Sequence, residues 1–363
     1  MNMIPIAKPF IDDREKEKVL EVMDTGMLAS GQYVRDFEEK FASYAECKYG
    51  IATTSGTTAL QVAVEAAGIK EGDRVLTTPF TFIASSNSIL FNGAEPVFVD
   101  IDEKTFNIDP ELIRKELEND PDISALLIVH LYGLSCNMDE IMDLVKEYDL
   151  TLIEDCAQSH GARYRGKPVG SFGDVSIFSF YPTKNMTTSE GGMIVTDDEE
   201  IGEKSKLLVN HGSSSRYRHE ILGFNYRMTN IEAAIGLVQL EKIDNFNQKR
   251  KENAAYFTEN FKDLDWLQLP YYPKEADHVF HLYTVKVDGR KDFASYLKDN
   301  GIGYGIHYPE PIYNQKLYQD LGYDNYQLKK KKKTCERCIS LPVHPALTDK
   351  ELKKIVNVVS SYK

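Results

Sequence analysis

Between residues 50 and 196 the chain alternates short apolar runs with stretches in which apolar residues recur every three or four positions. The runs lie at 49–53, 74–77, 95–100, 125–130, 151–154, 175–180 and 192–196, and several are rich in Val, Ile and Leu with only weak alternation. Strands buried on both faces of a mainly parallel sheet read this way, because neither face has to be polar. The stretches 58–67, 85–92, 110–118 and 138–148 have helical spacing. Strand–helix–strand alternation predicts an α/β fold with ligands at the carboxyl ends of the strands.

Residues 229–260 predict one long amphipathic helix, with Ile231, Ala234, Ile235, Leu237, Val238, Leu240 and Ile243 on its apolar positions and Thr229 as N-cap. Beyond it, 280–287 alternates like a strand, 291–300 reads as a helix and 301–308 as another strand. A chain of 363 residues is long for one core. The expected organisation is a large unit over residues 1–248 and a smaller α+β unit over 249–363.

Charge narrows the partners. With 43 basic and 56 acidic residues the net charge is −13, and such a surface repels polyanions, so nucleic acid is not an expected partner. A phosphorylated ligand would have to be held by local N–H groups and hydroxyls. The run 329–333 of lysines reads as a solvated helix face. Five scattered cysteines give no disulfide framework, and the single Cys335-x-x-Cys338 pair lacks the second pair a zinc ribbon needs. No metal is expected. Residues 1–10 carry no signal-like apolar run, and no apolar stretch is long enough to span a membrane. The expectation is a cytoplasmic protein.

Four segments carry candidate chemistry. In Thr54-Ser55-Gly56-Thr57-Thr58 a strand ends, a glycine turns the chain and a helix begins. That arrangement aims free N–H groups and the helix dipole at an anion, although any capped helix looks similar. In Ile153-Glu154-Asp155-Cys156-Ala157-Gln158 an apolar strand delivers Asp155 to its carboxyl end. A carboxylate there needs a cation or caps a helix. In Phe178-Ser179-Phe180-Tyr181-Pro182-Thr183-Lys184 the lysine sits in a turn between apolar strands, where a lowered pKa would make it a nucleophile. Read alone, it is also an ordinary surface amine. The loop Gly223-Phe224-Asn225-Tyr226-Arg227 precedes the long helix and offers polar groups to a ligand.

Together these four motifs resemble the DegT family of sugar aminotransferases within the fold-type I enzymes that use pyridoxal 5'-phosphate (PLP). The resemblance runs from the turn at 26–31 to Leu341-Pro342-Val343-His344-Pro345. It implies a large PLP-binding domain with a mainly parallel sheet and a small C-terminal domain. It implies that Lys184 carries PLP as a Schiff base and moves the proton during transfer. Asp155 would pair with the pyridine nitrogen and Gln158 with the ring oxygen. Gly56, Thr57 and Ser179 would bind the phosphate. Phe82 would stack on the ring, with Phe80 the weaker candidate. Asn225 would reach the phosphate of the neighbouring subunit's cofactor, making a homodimer with shared active sites. His307, Tyr308 and Tyr132 would line the substrate pocket. The implied reaction moves an amino group, from glutamate as donor, to a nucleotide-linked keto sugar.

The competing readings are a sugar dehydratase of the same fold, a non-catalytic regulatory relative, and a PLP enzyme acting on amino acids alone. The dehydratases carry histidine at the position of Lys184. A regulatory protein has no need of the lysine. An amino-acid enzyme usually binds the α-carboxylate through a C-terminal arginine, and beyond residue 260 only Arg290 and Arg337 occur. The cues for amination at C3 or C4 conflict: 185–192 resembles C4 enzymes and His307-Tyr308-Pro309 resembles C3 enzymes. Ser189 stands where many members have glycine.

Overall fold

The computed structural model describes residues 3–323, 326 and 334–362; the lysine run at 329–333 lies outside them. Its centre is a seven-stranded sheet. The strands in chain order are β1 (Tyr49–Thr53), β2 (Arg74–Thr77), β3 (Glu95–Phe98), β4 (Ile123–Val129), β5 (Thr151–Asp155), β6 (Val175–Ser179) and β7 (Gly192–Thr196). Across the sheet they run β3-β2-β4-β5-β6-β7-β1. All neighbours from β3 to β6 are parallel, and β7 is antiparallel to both β6 and β1. All seven expected strands are present.

The lack of alternation has its cause in two cores. Val75, Leu127, Ile153, Ile177 and Ile194 enter one core with Ala59, Leu60 and Ala63 of the helix Gly56–Ala66. Leu76, Leu126, Ile128 and Leu152 enter the opposite core with residues of the helices Pro110–Asn119 and Met138–Tyr148. Successive strand residues face opposite sides, so a sheet covered twice must be apolar at both parities.

The helix Asn230–Phe261 is capped by Thr229, whose hydroxyl accepts from the Glu232 N–H while the Glu232 carboxylate accepts from the Thr229 N–H. That reciprocal pair satisfies two otherwise orphaned donors. The first part of the helix packs Leu237 and Ile243 against Phe37 and Phe41. Its last part sends Ala254, Phe257 and Phe261 into the C-terminal core. The expected division between residues 248 and 249 therefore falls inside a continuous helix.

The C-terminal core is built on an antiparallel sheet of Leu267–Gln268, Tyr283–Val287 and Cys338–Leu341, covered by the helices Arg290–Asp299 and Asp349–Ser360. One expectation fails here. Residues 301–308 form no strand; Ile302 makes one bridge to Ile4 and Gly305 one to Ser340. Gly301, Gly303 and Gly305 bring neither side-chain packing nor conformational preference to a ladder. The segment instead passes between the N-terminal arm and the edge of the sheet toward His307. Among the described residues no helix is long and apolar enough to cross a membrane.

Candidate active site

The carboxyl ends of β5 and β6 and the first turn of the helix Gly56–Ala66 surround a cavity of about 500 Å³. Gly56, Thr57, Phe82, Asp155, Gln158, Ser179, Lys184, His307 and Tyr308 all line it. Residues spread over more than 250 positions of sequence thus meet in one place because parallel strands all deliver their carboxyl ends to the same edge.

Asp155 ends β5 and is buried. Its Oδ1 accepts from the Ala157 N–H at 3.0 Å and its Oδ2 from the Ser85 hydroxyl at 2.7 Å. Burial raises its pKa, and Ser85, the Ala157 N–H and Lys184 counter that only in part. A buried carboxylate still short of positive charge fits a cationic ring nitrogen in the cavity. Ser85 carries no motif of its own, and sequence reasoning missed it.

Lys184 follows β6 in a turn closed by its own N–H to the Tyr181 carbonyl at 2.9 Å. Its side chain is half-buried, and Nζ makes no hydrogen bond among the described residues. Desolvation by the protein around it lowers its pKa to about 8, with Asp155 pulling the other way. That is a usable amine nucleophile near neutral pH. The turn closes at Ser189, which has φ 78°. This left-handed conformation favours glycine, so serine here carries a strain of roughly 1 kcal/mol.

Gln158 is oriented by its neighbours. The Tyr132 N–H donates to its Oε1 at 2.9 Å, so its amide nitrogen faces Tyr308, donating to the hydroxyl at 3.1 Å. Tyr132 itself corrects an expectation. It does not line this cavity; it is buried behind it, against Phe80 and Phe106, with its hydroxyl on the His307 carbonyl. Its left-handed backbone, φ 58°, turns the side chain into the core and the N–H toward Gln158. Phe80 is likewise fully buried, whereas Phe82 is 56% exposed at the cavity and free to cover a planar ligand. Burial and the nearby Lys184 charge depress His307 to about 4, so it is neutral.

The phosphate cradle is equally specific. Ser55 caps the helix Gly56–Ala66, accepting from the Thr58 N–H, and first-turn N–H groups have no acceptor within a helix. A Cβ on Gly56 would lie 2.6 Å from the Ser179 Cβ. Only glycine lets the helix start this close to the Ser179 hydroxyl, and a phosphate there would meet donors from both elements. The cationic-ring site, the free amine and this anion cradle together fit PLP. Asn225 stands apart: it is exposed and outside the cavity, and its backbone bridges to Asn210.

Glu154, one residue before Asp155, points to the opposite side of the sheet. It accepts from His130 Nε2 at 2.9 Å, from the N–H groups of Gly170, Phe172 and Gly173, and from Ser176. The Cys136 N–H donates to His130 Nδ1, which leaves the proton on Nε2. His130, Glu154 and Cys156 lie close enough to share an ion, yet the imidazole and carboxylate atoms are already committed to this network.

Fold and cavity together define a fold-type I PLP-dependent aminotransferase. The chain belongs to the DegT/DnrJ/EryC1/StrS aminotransferase family, which it matches over residues 9–360. It is 38% identical to a dTDP-3-amino-3,6-dideoxy-alpha-D-galactopyranose transaminase of Aneurinibacillus thermoaerophilus, over 98% of this chain and 99% of that protein. It is also 38% identical to a pleiotropic regulatory protein of Geobacillus stearothermophilus, over 96% and 95% of the two. A crystal structure of S. venezuelae DesV in complex with a ketimine intermediate superposes with a TM-score of 0.93 at 34% identity, covering 98% of both chains.

Proposed function

We propose that the protein transfers an amino group from glutamate to a keto sugar carried on a nucleotide, as a homodimer with shared active sites in the cytoplasm. The observation that carries this reading is the meeting of Lys184, Asp155 and Gln158 in one cavity. A dehydratase would have histidine at 184, and the lysine is an amine placed to act.

When bound, PLP supplies an electron sink for the carbon attached to the transferred nitrogen. The chain's own residues do the rest. Asp155 keeps a negative charge beside the ring nitrogen, so that nitrogen stays protonated. The Gln158 amide nitrogen donates to the ring oxygen, and Phe82 covers one face of the ring. Gly56 and Thr57 donate N–H groups and Ser179 its hydroxyl to the phosphate, which anchors the ring without a basic surface. Lys184 Nζ holds the cofactor at rest; freed by the donor amine, it takes a proton from one carbon and returns it to another. His307 and Tyr308 line the substrate side. Asn225, exposed on its own chain, reaches the phosphate in the neighbouring subunit. The two half-reactions share one site in succession, which requires ping-pong kinetics.

Borohydride reduction of the yellow holoenzyme, followed by peptide mapping, should place the cofactor on Lys184. A panel of UDP-, GDP- and dTDP-linked keto hexoses with glutamate should then give an amino sugar, and NMR of the product reads whether C3 or C4 is aminated. Full turnover by Lys184→Ala would overturn the assignment.

A further inference from the structure

No part in holding the cofactor falls to His281, yet it lines the same cavity as Lys184. Its tautomer follows from its neighbours. The Val279 carbonyl can only accept, so the Asn185 amide nitrogen faces it at 3.1 Å; that nitrogen also donates to Asn247 Oδ1 at 2.8 Å. Asn185 Oδ1 therefore faces His281 Nδ1, 3.2 Å away. An amide oxygen only accepts, so Nδ1 carries the proton and Nε2 is left with a lone pair. Burial, with the charges of Lys184 and Arg250, holds the imidazole well below its ordinary pKa and keeps it neutral. The backbone is pinned as well: Arg250 Nη1 donates to the carbonyls of Phe280 and His281, each at 3.2 Å. Asn185 is buried and does not line the cavity, so the Nε2 edge is the one the cavity meets. Nε2 makes no hydrogen bond among the described residues.

We propose that His281 Nε2 is a substrate-recognition group that accepts a hydrogen bond from a hydroxyl of the incoming sugar, an inference that rests on the sugar aminotransferase reading above. A lone pair repels a carboxylate, which has no proton to give. An ammonium group is disfavoured by the positive charges of Lys184 and Arg250. A hydroxyl is a neutral donor and meets neither penalty. Keto sugars carry such hydroxyls and glutamate has none, so His281 acts in one half-reaction only.

Two substitutions separate recognition from positioning. His281→Asn keeps a donor toward Asn185 and removes the Nε2 acceptor. His281→Gln places an amide oxygen near the Nε2 position. Single-turnover rates are read for glutamate on the PLP form and, on the pyridoxamine phosphate form, for UDP-, GDP- and dTDP-linked 3-keto and 4-keto hexoses. His281→Asn should leave the glutamate half-reaction within about twofold and raise the half-saturating keto sugar about tenfold, the scale of one lost hydrogen bond in a buried site; His281→Gln should recover most of that. In the cofactor-free protein, long-range 1H–15N spectra should show Nε2 unprotonated, with a resonance that moves when the nucleotide sugar is added. Equal losses in both half-reactions would make His281 a support for the Lys184 turn and overturn the proposal, as would an Nε2–H tautomer or no change in either half. If the wild-type pyridoxamine form reacts with 2-oxoglutarate but with no keto sugar, the functional reading itself falls; that result appears before any variant is compared.

Discussion

The Ser85 hydroxyl donates to Asp155 Oδ2 at 2.7 Å across 70 positions of sequence. It is the one side chain that bonds this carboxylate among the described residues, and it lowers a pKa that burial raises. Ser85→Ala should therefore let Asp155 gain a proton more easily and hold the ring nitrogen less well. A hydrogen bond to a charged group contributes about 1.5–3 kcal/mol, so kcat should fall at least about tenfold while the protein still binds PLP. A loss below about twofold in steady-state kinetics would remove Ser85 from this role.

Lys184 sets a pH dependence for cofactor capture. Its pKa in the cofactor-free protein is lowered to about 8 by burial. Below that value the ammonium form predominates and cannot attack an aldehyde. The capture rate of PLP should rise about tenfold per pH unit up to roughly pH 7.5 and level off above roughly pH 8.5. Stopped-flow absorbance on the apo-protein checks this, and an inflection near the ordinary lysine value of 10.5 would contradict it.

Gly56→Ala tests the cradle. Alanine suits a helix better than glycine, so local propensity does not oppose the change. The added Cβ, 2.6 Å from the Ser179 Cβ, forces the helix start and β6 apart. PLP affinity should drop by more than about tenfold, for want of charge-assisted hydrogen bonds to the phosphate, with the circular dichroism spectrum unchanged. Fluorescence titration measures it.

Glu154→Gln should act on stability rather than on chemistry. Its buried carboxylate receives donors on both oxygens. Burial pushes its pKa up, but His130 and the backbone N–H groups more than offset this and hold it ionised. An amide turns one acceptor into a donor that must face another donor. A cost of about 3 kcal/mol is expected in the urea unfolding of the apo-protein. An unchanged midpoint would mean the network rearranges freely.

The shared-site proposal for Asn225 has a test by mixing. Asn225→Ala and Lys184→Ala should each be poorly active alone. Denatured together and refolded, they should form mixed dimers with one intact site and recover up to about a quarter of wild-type turnover, since half the dimers are mixed and each holds one good site. No recovery would place Asn225 outside the neighbour's site.

All seven strands of the central sheet were legible because a sheet covered on both faces leaves uninterrupted apolar runs. The expected strand at 301–308 shows the limit: glycines at 301, 303 and 305 give the segment no side chains to pack on a sheet, and it makes only single bridges, to Ile4 and to Ser340. Tyr132 was named by resemblance alone, which gives a position in the chain and not the aim of a side chain; a left-handed backbone angle turns its ring into the core.

The sequence by itself determined the sheet, the capped helices and the identities of the reactive groups, because these depend on local propensity and on residue type. The tertiary structure alone decided which groups face one another. Ser85 meets Asp155, the Tyr132 N–H meets Gln158, and Asn185 meets His281 across 96 positions. None of these pairs has a spacing that a local rule could read, since each is set by how strands and loops distant in the chain pack. A side chain's protonation and aim depend on those partners, so the sequence could name Lys184 and Asp155, and only the fold could say what holds them ready.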